Sequence, residues 1–133
     1  MIIVDASVVV DALVSSHSLG DRCRDRLASA TQLNAPHLID IEVTHALRRL
    51  VGRGLLDEGV ASHALGQLGE LPINRFPHEP FLGRIWQLRH QMTAYDAAYV
   101  AVAEAADAPL LTLDGRLAGA HGVACDIEVV AAP

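Results

Sequence analysis

The chain has 133 residues, 51% of them hydrophobic, which fits one packed domain over 1–133 with roughly two-thirds of its unfolded surface buried and excludes a disordered chain. Its net charge of −6 argues against a protein held on nucleic acid mainly by a broad basic surface. All ten basic residues are arginine, which removes the phosphate-loop and Schiff-base chemistries that need lysine. Cys23 and Cys125 stand far apart and read as free thiols of a reducing cytoplasm. Asp5 and Asp11 interrupt the apolar N-terminus, so it does not read as a signal peptide, and no apolar run is long enough to cross a bilayer.

In chain order, Ile2–Asp5 reads as a buried first strand and Ser7–Leu13 as a short helix. Ser18-Leu-Gly-Asp21 has the spacing of a capping box for a second helix reaching Ser29. Leu33–Ala35 is a short extended piece before Pro36. In Asp40–Arg53 the residues Val43, Ala46, Leu47, Leu50 and Val51 recur at i, i+3, i+4, i+7 and i+8, the apolar stripe of a helix, and Gly54 stops it. Asp57 caps a further helix with Val60, Ala61, Ala64, Leu65 and Leu68 facing inward. Leu71–Phe76 reads as a strand ended by Pro77. Pro80 suits the first turn of a helix carrying Phe81, Leu82, Ile85, Trp86 and Leu88. Thr93 opens an alanine-rich helix ending near Ala106, Leu110–Leu113 is a buried strand, and Ile127–Val130 a last one. This alternation predicts an α/β protein with a mostly parallel sheet covered on both faces.

Asp5, Glu42, Asp96 and Asp114 each stand at the end of a strand or the start of a helix. In an open α/β sheet those points converge on one crevice. Carboxylates meeting there would raise one another's pKa unless a cation sat among them, and an all-oxygen acidic cluster suits Mg²⁺ or Mn²⁺. Such ions would activate water for in-line attack on a phosphate. Each acid also has a plain structural reading. Asp5 can cap a helix, Glu42 can sit at a positive helix end, Asp96 can complete a box with Thr93, and Asp114 can begin an Asp-Gly turn. Ser7 stands where it could hydrogen-bond a carboxylate. Arg49 and Arg53 share a helix face with Glu42 and His45, and with Arg116 they are candidates for contacts to a phosphate backbone or for a solvated surface. Other signatures are missing: there is no H-E-x-x-H, G-x-S-x-G or G-x-G-x-x-G. Glu42-Val-Thr-His45 is a single E-x-x-H where di-iron bundles need two.

Taken together, four stretches resemble the PIN-domain ribonucleases. They are Ile-Ile-Val-Asp5-Ala-Ser7, Ala35-Pro36 through Glu42, Thr93-Ala-Tyr-Asp96-Ala-Ala-Tyr99-Val-Ala, and Leu-Leu-Thr112-Leu-Asp114. The likeness covers essentially the whole chain and is greatest to the VapC-type toxins of bacterial toxin–antitoxin pairs. It implies a three-layer α/β/α sandwich, an Mg²⁺- or Mn²⁺-dependent endoribonuclease, a homodimer, and neutralisation by a small VapB-type antitoxin. Carried over, Asp5, Glu42, Asp96 and Asp114 are the catalytic and metal-binding acids, with Ser7 and Thr112 as supporting hydroxyls. The backbone that Arg49, Arg53 and Arg116 would contact is then that of an RNA. The rival expectations are a non-catalytic binding module of the same fold, and a metal-dependent nuclease or phosphatase acting on another phosphate substrate.

Overall fold

Ile2, Ile3 and Val4 are all buried, as befits a strand covered on both faces. They form β1 (Ile2–Val4), the central strand of a five-stranded sheet, in a computed structural model that describes residues 1–131. The helices and strands that follow are α1 (Ala6–Val14), α2 (Ser18–Ser29), β2 (Leu33–Pro36), α3 (Leu38–Gly52), α4 (Glu58–Glu70), β3 (Ile73–Phe76), α5 (Leu82–Gln87), α6 (Ala94–Ala106), β4 (Leu110–Thr112) and β5 (Ile127–Val129). Short 3-10 turns occupy Glu79–Phe81 and Gly115–Gly119.

The strand order is β3-β2-β1-β4-β5, and every pairing is parallel. From β1 the chain moves one way to β2 and β3 through α1–α4, then returns across the sheet to β4 through α5 and α6. Right-handed crossovers put helices of opposite travel on opposite faces, and α1–α4 pack among themselves while α5 packs on α6. The result is an α/β/α sandwich. Because these helices run back against the parallel strands, α1, α3 and α6 all begin at the edge where β1, β2 and β4 end. The order reverses between β1 and β4, and a crevice opens at such a switch point.

Packing on the two faces differs in grain. On one side Val8, Val9, Ile39, Val43 and Leu47 are buried beneath α1 and α3. On the other, all seven residues from Ala97 to Ala103 are buried, so α6 is apolar all round and lies within the interior. Its four alanines in that run let it approach the sheet closely, where it touches β1, β2 and β4. Asn34 is buried in β2; its side chain donates to the Ile2 carbonyl at 3.4 Å and accepts from the Asn74 side chain at 3.2 Å. Asn34 and Asn74 are register partners in β2 and β3, so the pair locks the alignment of those strands. Arg75 on β3 holds Asp40 in the first turn of α3 through two bonds of 2.7 and 2.8 Å.

Several expectations need correction. Ser18 does not cap α2: it is the first helical residue, His17 holds the cap position, and no side chain caps that end. Asp21 pairs instead with Arg24. On α4 the buried stripe is only Ala61, Ala64 and Leu68, whereas Val60 and Leu65 are exposed. They stand about 100° to either side of that narrow stripe and face solvent rather than the core. The strand over Leu71–Phe76 begins two residues later, because Leu71 is the C-cap of α4. Asp57 does cap α4, accepting from the Gly59 and Val60 amides, and Gly54 takes φ +70 after α3. Cys23 and Cys125 are both free. No helix among the described residues is long and apolar enough to cross a membrane.

One polar knot holds the far end of α6. Glu104 accepts two bonds from Arg84 of α5, at 2.8 and 2.9 Å, and one from the Ala124 amide at 3.1 Å; Arg84 also donates to the Gly122 carbonyl. The Arg84 bonds hold the Glu104 pKa below its ordinary 4.5. A depressed carboxyl pKa stabilises the fold above the unfolded value and stops doing so as pH falls through the folded one. Glu104→Gln should therefore lower stability by about 1–2 kcal/mol at neutral pH. In urea denaturation the gap from wild type should close as pH drops below the ordinary glutamate range, and a gap unchanged by acid would rule out this ion pair as its source.

Candidate active site

Asp5 leaves β1 and its Oδ2 accepts two side-chain hydroxyls, Ser7 Oγ at 2.9 Å and Thr112 Oγ1 at 2.7 Å. Each hydroxyl accepts in turn from the backbone beyond β4. The Leu113 amide donates to Ser7 at 3.2 Å, and the Asp114 amide to Thr112 at 3.1 Å. Two consecutive amides therefore fix two hydroxyls, which fix one carboxylate oxygen. Asp5 Oδ1 has no hydrogen-bond partner among the described residues. Thr112 is fully buried, so this bridge is shielded from water.

Asp96 stands in the first turn of α6, whose N-cap Thr93 accepts from the Asp96 amide at 3.2 Å. The expected capping role is thus met by the Asp96 amide, and neither Asp96 nor Asp114 is among the residues lining the crevice. Burial first, then the charges of Asp5 and Asp114, push the Asp96 carboxyl above its usual range, against Thr93 and Arg116. Glu42 stands in α3 and is likewise raised, chiefly by burial and further by Asp5 and Asp96. The Tyr99 hydroxyl faces Glu42 and opposes that rise. Even so, Glu42 Oε1 and the Tyr99 hydroxyl are both buried without a partner in regular hydrogen-bond geometry. An orphaned buried carboxylate oxygen is costly. Asp114 behaves differently. Arg116 grips it through two side-chain bonds of 3.0 and 2.8 Å and holds its pKa low.

Asp5 and Asp96 raise the pKa of Glu42, and Asp5 and Asp114 raise that of Asp96, but the four acids do not form a closed cage. Among the described residues no three acidic, histidine or cysteine side chains are grouped so as to hold a metal ion. Like charges hold one another off, and Asp114 is turned to Arg116. The donor chemistry nevertheless fits a hard divalent cation: all oxygen, one oxygen orphaned, and two carboxyls raised by burial and by the charges of their neighbours.

The crevice has a volume of about 640 Å³ and is lined by Asp5, Ser7, Glu42, His45 and Arg49 among others. Arg49 thus reaches the site from the same helical face as Glu42. Arg53 is the C-cap of α3, and neither it nor Arg116 lines the crevice; Arg116 pairs with Asp114 while its side chain stays 90% exposed. Asp11, Ile41 and Tyr95 also line it, and sequence reasoning did not place them at the site. For Asp11 a signal was present: it lies four residues after Ser7, on the same face of α1. Burial raises its pKa, partly offset by His17.

A parallel sheet in this order, with paired acids at its switch point, defines the class. The chain belongs to the PIN-domain family, whose domain matches residues 2–122. Among its relatives, Ribonuclease VapC1 of Mycobacterium tuberculosis is 49% identical over 129 residues, spanning 96% of each chain. Ribonuclease VapC9 of the same organism is 40% identical over 130 residues, spanning 98% of each. Two solved structures share the fold at low identity. The Sarcin-Ricin loop cleaving toxin VapC20 of Mycobacterium tuberculosis has a TM-score of 0.72 at 15% identity, over 90% of this chain and 94% of that one. FitAcB of Neisseria gonorrhoeae has a TM-score of 0.69 at 17% identity, over 96% of each.

Thr112 offers a direct test of the bridge. Thr112→Val keeps the shape but strands the Asp114 amide and removes a bond from Asp5, at a cost of about 1–3 kcal/mol. Thr112→Ser should recover most of it. Equal denaturation midpoints for wild type and the valine variant would mean that solvent replaces these bonds.

Proposed function

We propose that this chain is a metal-dependent endoribonuclease, the toxin of a type II toxin–antitoxin pair, acting in the cytoplasm. The observation that carries the reading is the buried Glu42 carboxyl, faced by the Tyr99 hydroxyl and raised by burial and by the charges of Asp5 and Asp96, in a chain 49% identical to a protein named a ribonuclease. Asp5, Glu42, Asp96 and Asp114 would hold Mg²⁺ or Mn²⁺. When bound, the ion supplies positive charge for the scissile phosphate and lowers the pKa of water.

The protein's own groups prepare that chemistry. Ser7 and Thr112 fix Asp5 Oδ2 and leave its other oxygen available. Burial keeps Glu42 and Asp96 in a poorly hydrated site, where electrostatic interactions are stronger than in water. Arg49, two turns beyond Glu42 on the same face, would meet the phosphate on the neighbouring nucleotide. Arg116 balances Asp114 until a stronger cation competes for it. Two further parts of the proposal are a homodimeric assembly and neutralisation by a VapB-type antitoxin; the VapC names of the relatives support the second of these.

Purified protein should cut a mixed RNA pool with Mg²⁺ or Mn²⁺ and stop on addition of EDTA. Asp96→Asn should lower cleavage on the order of 100-fold or more while circular dichroism stays native. Full activity in that variant would sink the site assignment, and equal cutting in EDTA would sink the metal. Arg49→Ala should weaken RNA binding and reduce the slope of log affinity against log salt by about 1. An unchanged slope would return Arg49 to the solvated surface.

A further inference from the structure

Half of the arginines are paired within the chain. Arg24, Arg26, Arg75, Arg84 and Arg116 each pair with a carboxylate, in a chain of net charge −6. Of the ten arginines in the sequence, Arg49 is the one that lines the crevice. Phosphate contacts of this kind ordinarily supply most of the affinity for nucleic acid. Here they are scarce, so a polynucleotide held at the acidic crevice needs another source of binding.

The crevice mouth supplies one. Ile41 is 69% exposed and Tyr95 60% exposed, and both line the same crevice. Each immediately precedes an acid of the site: Ile41 before Glu42 in α3, Tyr95 before Asp96 in α6. Consecutive helical residues point about 100° apart; Ile41 lines the crevice together with Glu42, whereas beside Asp96 it is Tyr95 that lines it. The chain contains only five aromatic residues, and the other tyrosine, Tyr99, is buried. Leaving a ring and a branched apolar side chain in water beside two carboxylates gains nothing for folding. A volume of about 640 Å³ also exceeds what a phosphate alone fills and falls within the roughly 300–1,000 Å³ of small-ligand sites. A ligand with an anionic phosphate and a flat apolar face matches both parts of the crevice.

We infer that Tyr95 and Ile41 form a nucleobase-binding site at the crevice mouth, with Tyr95 stacking on an unpaired base adjoining the phosphate held over the acids. The inference rests on the ribonuclease reading for its choice of ligand. Every base has a π-face, so the contact tolerates sequence and is less sensitive to salt than an arginine–phosphate pair.

The test is a short single-stranded RNA carrying 2-aminopurine, titrated with Asp96→Asn protein that has Tyr95, Tyr95→Phe or Tyr95→Ala. Tyr95 and Tyr95→Phe should quench the fluorescence. Tyr95→Ala should lose the quenching and bind about 5- to 150-fold more weakly. In the cleaving background, Tyr95→Ala should raise KM by a similar factor with kcat little changed, and Tyr95→Phe should behave as wild type. Equal quenching and affinity in all three proteins would overturn the inference, as would RNA binding unaffected by Tyr95→Ala while self-association changes, which would assign the rim to a protein contact. Tyrosine-dependent quenching without cleavage by wild type would leave the base site standing and sink the ribonuclease reading. Cleavage with no tyrosine-dependent effect would do the reverse.

Discussion

Everything at the crevice is referred to one atom, Asp5 Oδ2. Two hydroxyls donate to it, from Ser7 on α1 and from Thr112 at the end of β4. Because those hydroxyls also receive the amides of Leu113 and Asp114, the carboxylate is tied to the path of the chain more than 100 residues away. Asp5 is thus held by backbone geometry acting through side chains. A carboxylate bound on one oxygen has only one way to present the other, and this preorganises the site before any ligand arrives. The same bonds hold β4's exit against β1's exit, so the structure of the site and the closure of the sheet are one feature.

The sheet order makes that meeting possible. β1 and β4 are neighbours only because the chain first travels outward to β3 and then crosses back. Had the strands followed sequence order, the ends of β1 and β4 would be separated by two strands, and Thr112 could not reach Asp5. The crossing also brings the first turn of α6 to the edge where α1 and α3 begin. Carboxylates from both faces of the sandwich then influence one another, as the raised Asp96 and Glu42 record. Repulsion of this kind is a cost to the fold.

Much of this was legible in the chain. The alternation of apolar runs, the cap at Asp57, the stop at Gly54 and the opening of α6 at Thr93 all express local chemistry, and each stands where periodicity or turn preference places it. What was hidden depends on neighbours. Ser18 and Asp21 have the right spacing for a capping box, but Arg24 captures Asp21. Val60 and Leu65 have core chemistry yet sit outside a stripe that alanines narrow. The acids were visible as boundary residues. That Arg116 would pair with Asp114 was not, because an Asp-Gly-Arg turn permits other arrangements. Asp11 escaped because one more acid on an apolar helix reads as its solvent edge.

The alanines of α6 have a consequence beyond filling space. Asp96 rides on this helix, which touches β1, β2 and β4, and methyl groups at the buried Ala97, Ala98, Ala101 and Ala103 fill part of the space about it. These side chains serve as shims, the thinnest that an L-residue other than glycine allows. A thicker shim would lift the whole rod and with it the spacing between Asp96 and Asp5, so the tolerance of the site is machined into residues that never touch a ligand. Selection on the site would then be felt as selection on side-chain bulk along this helix.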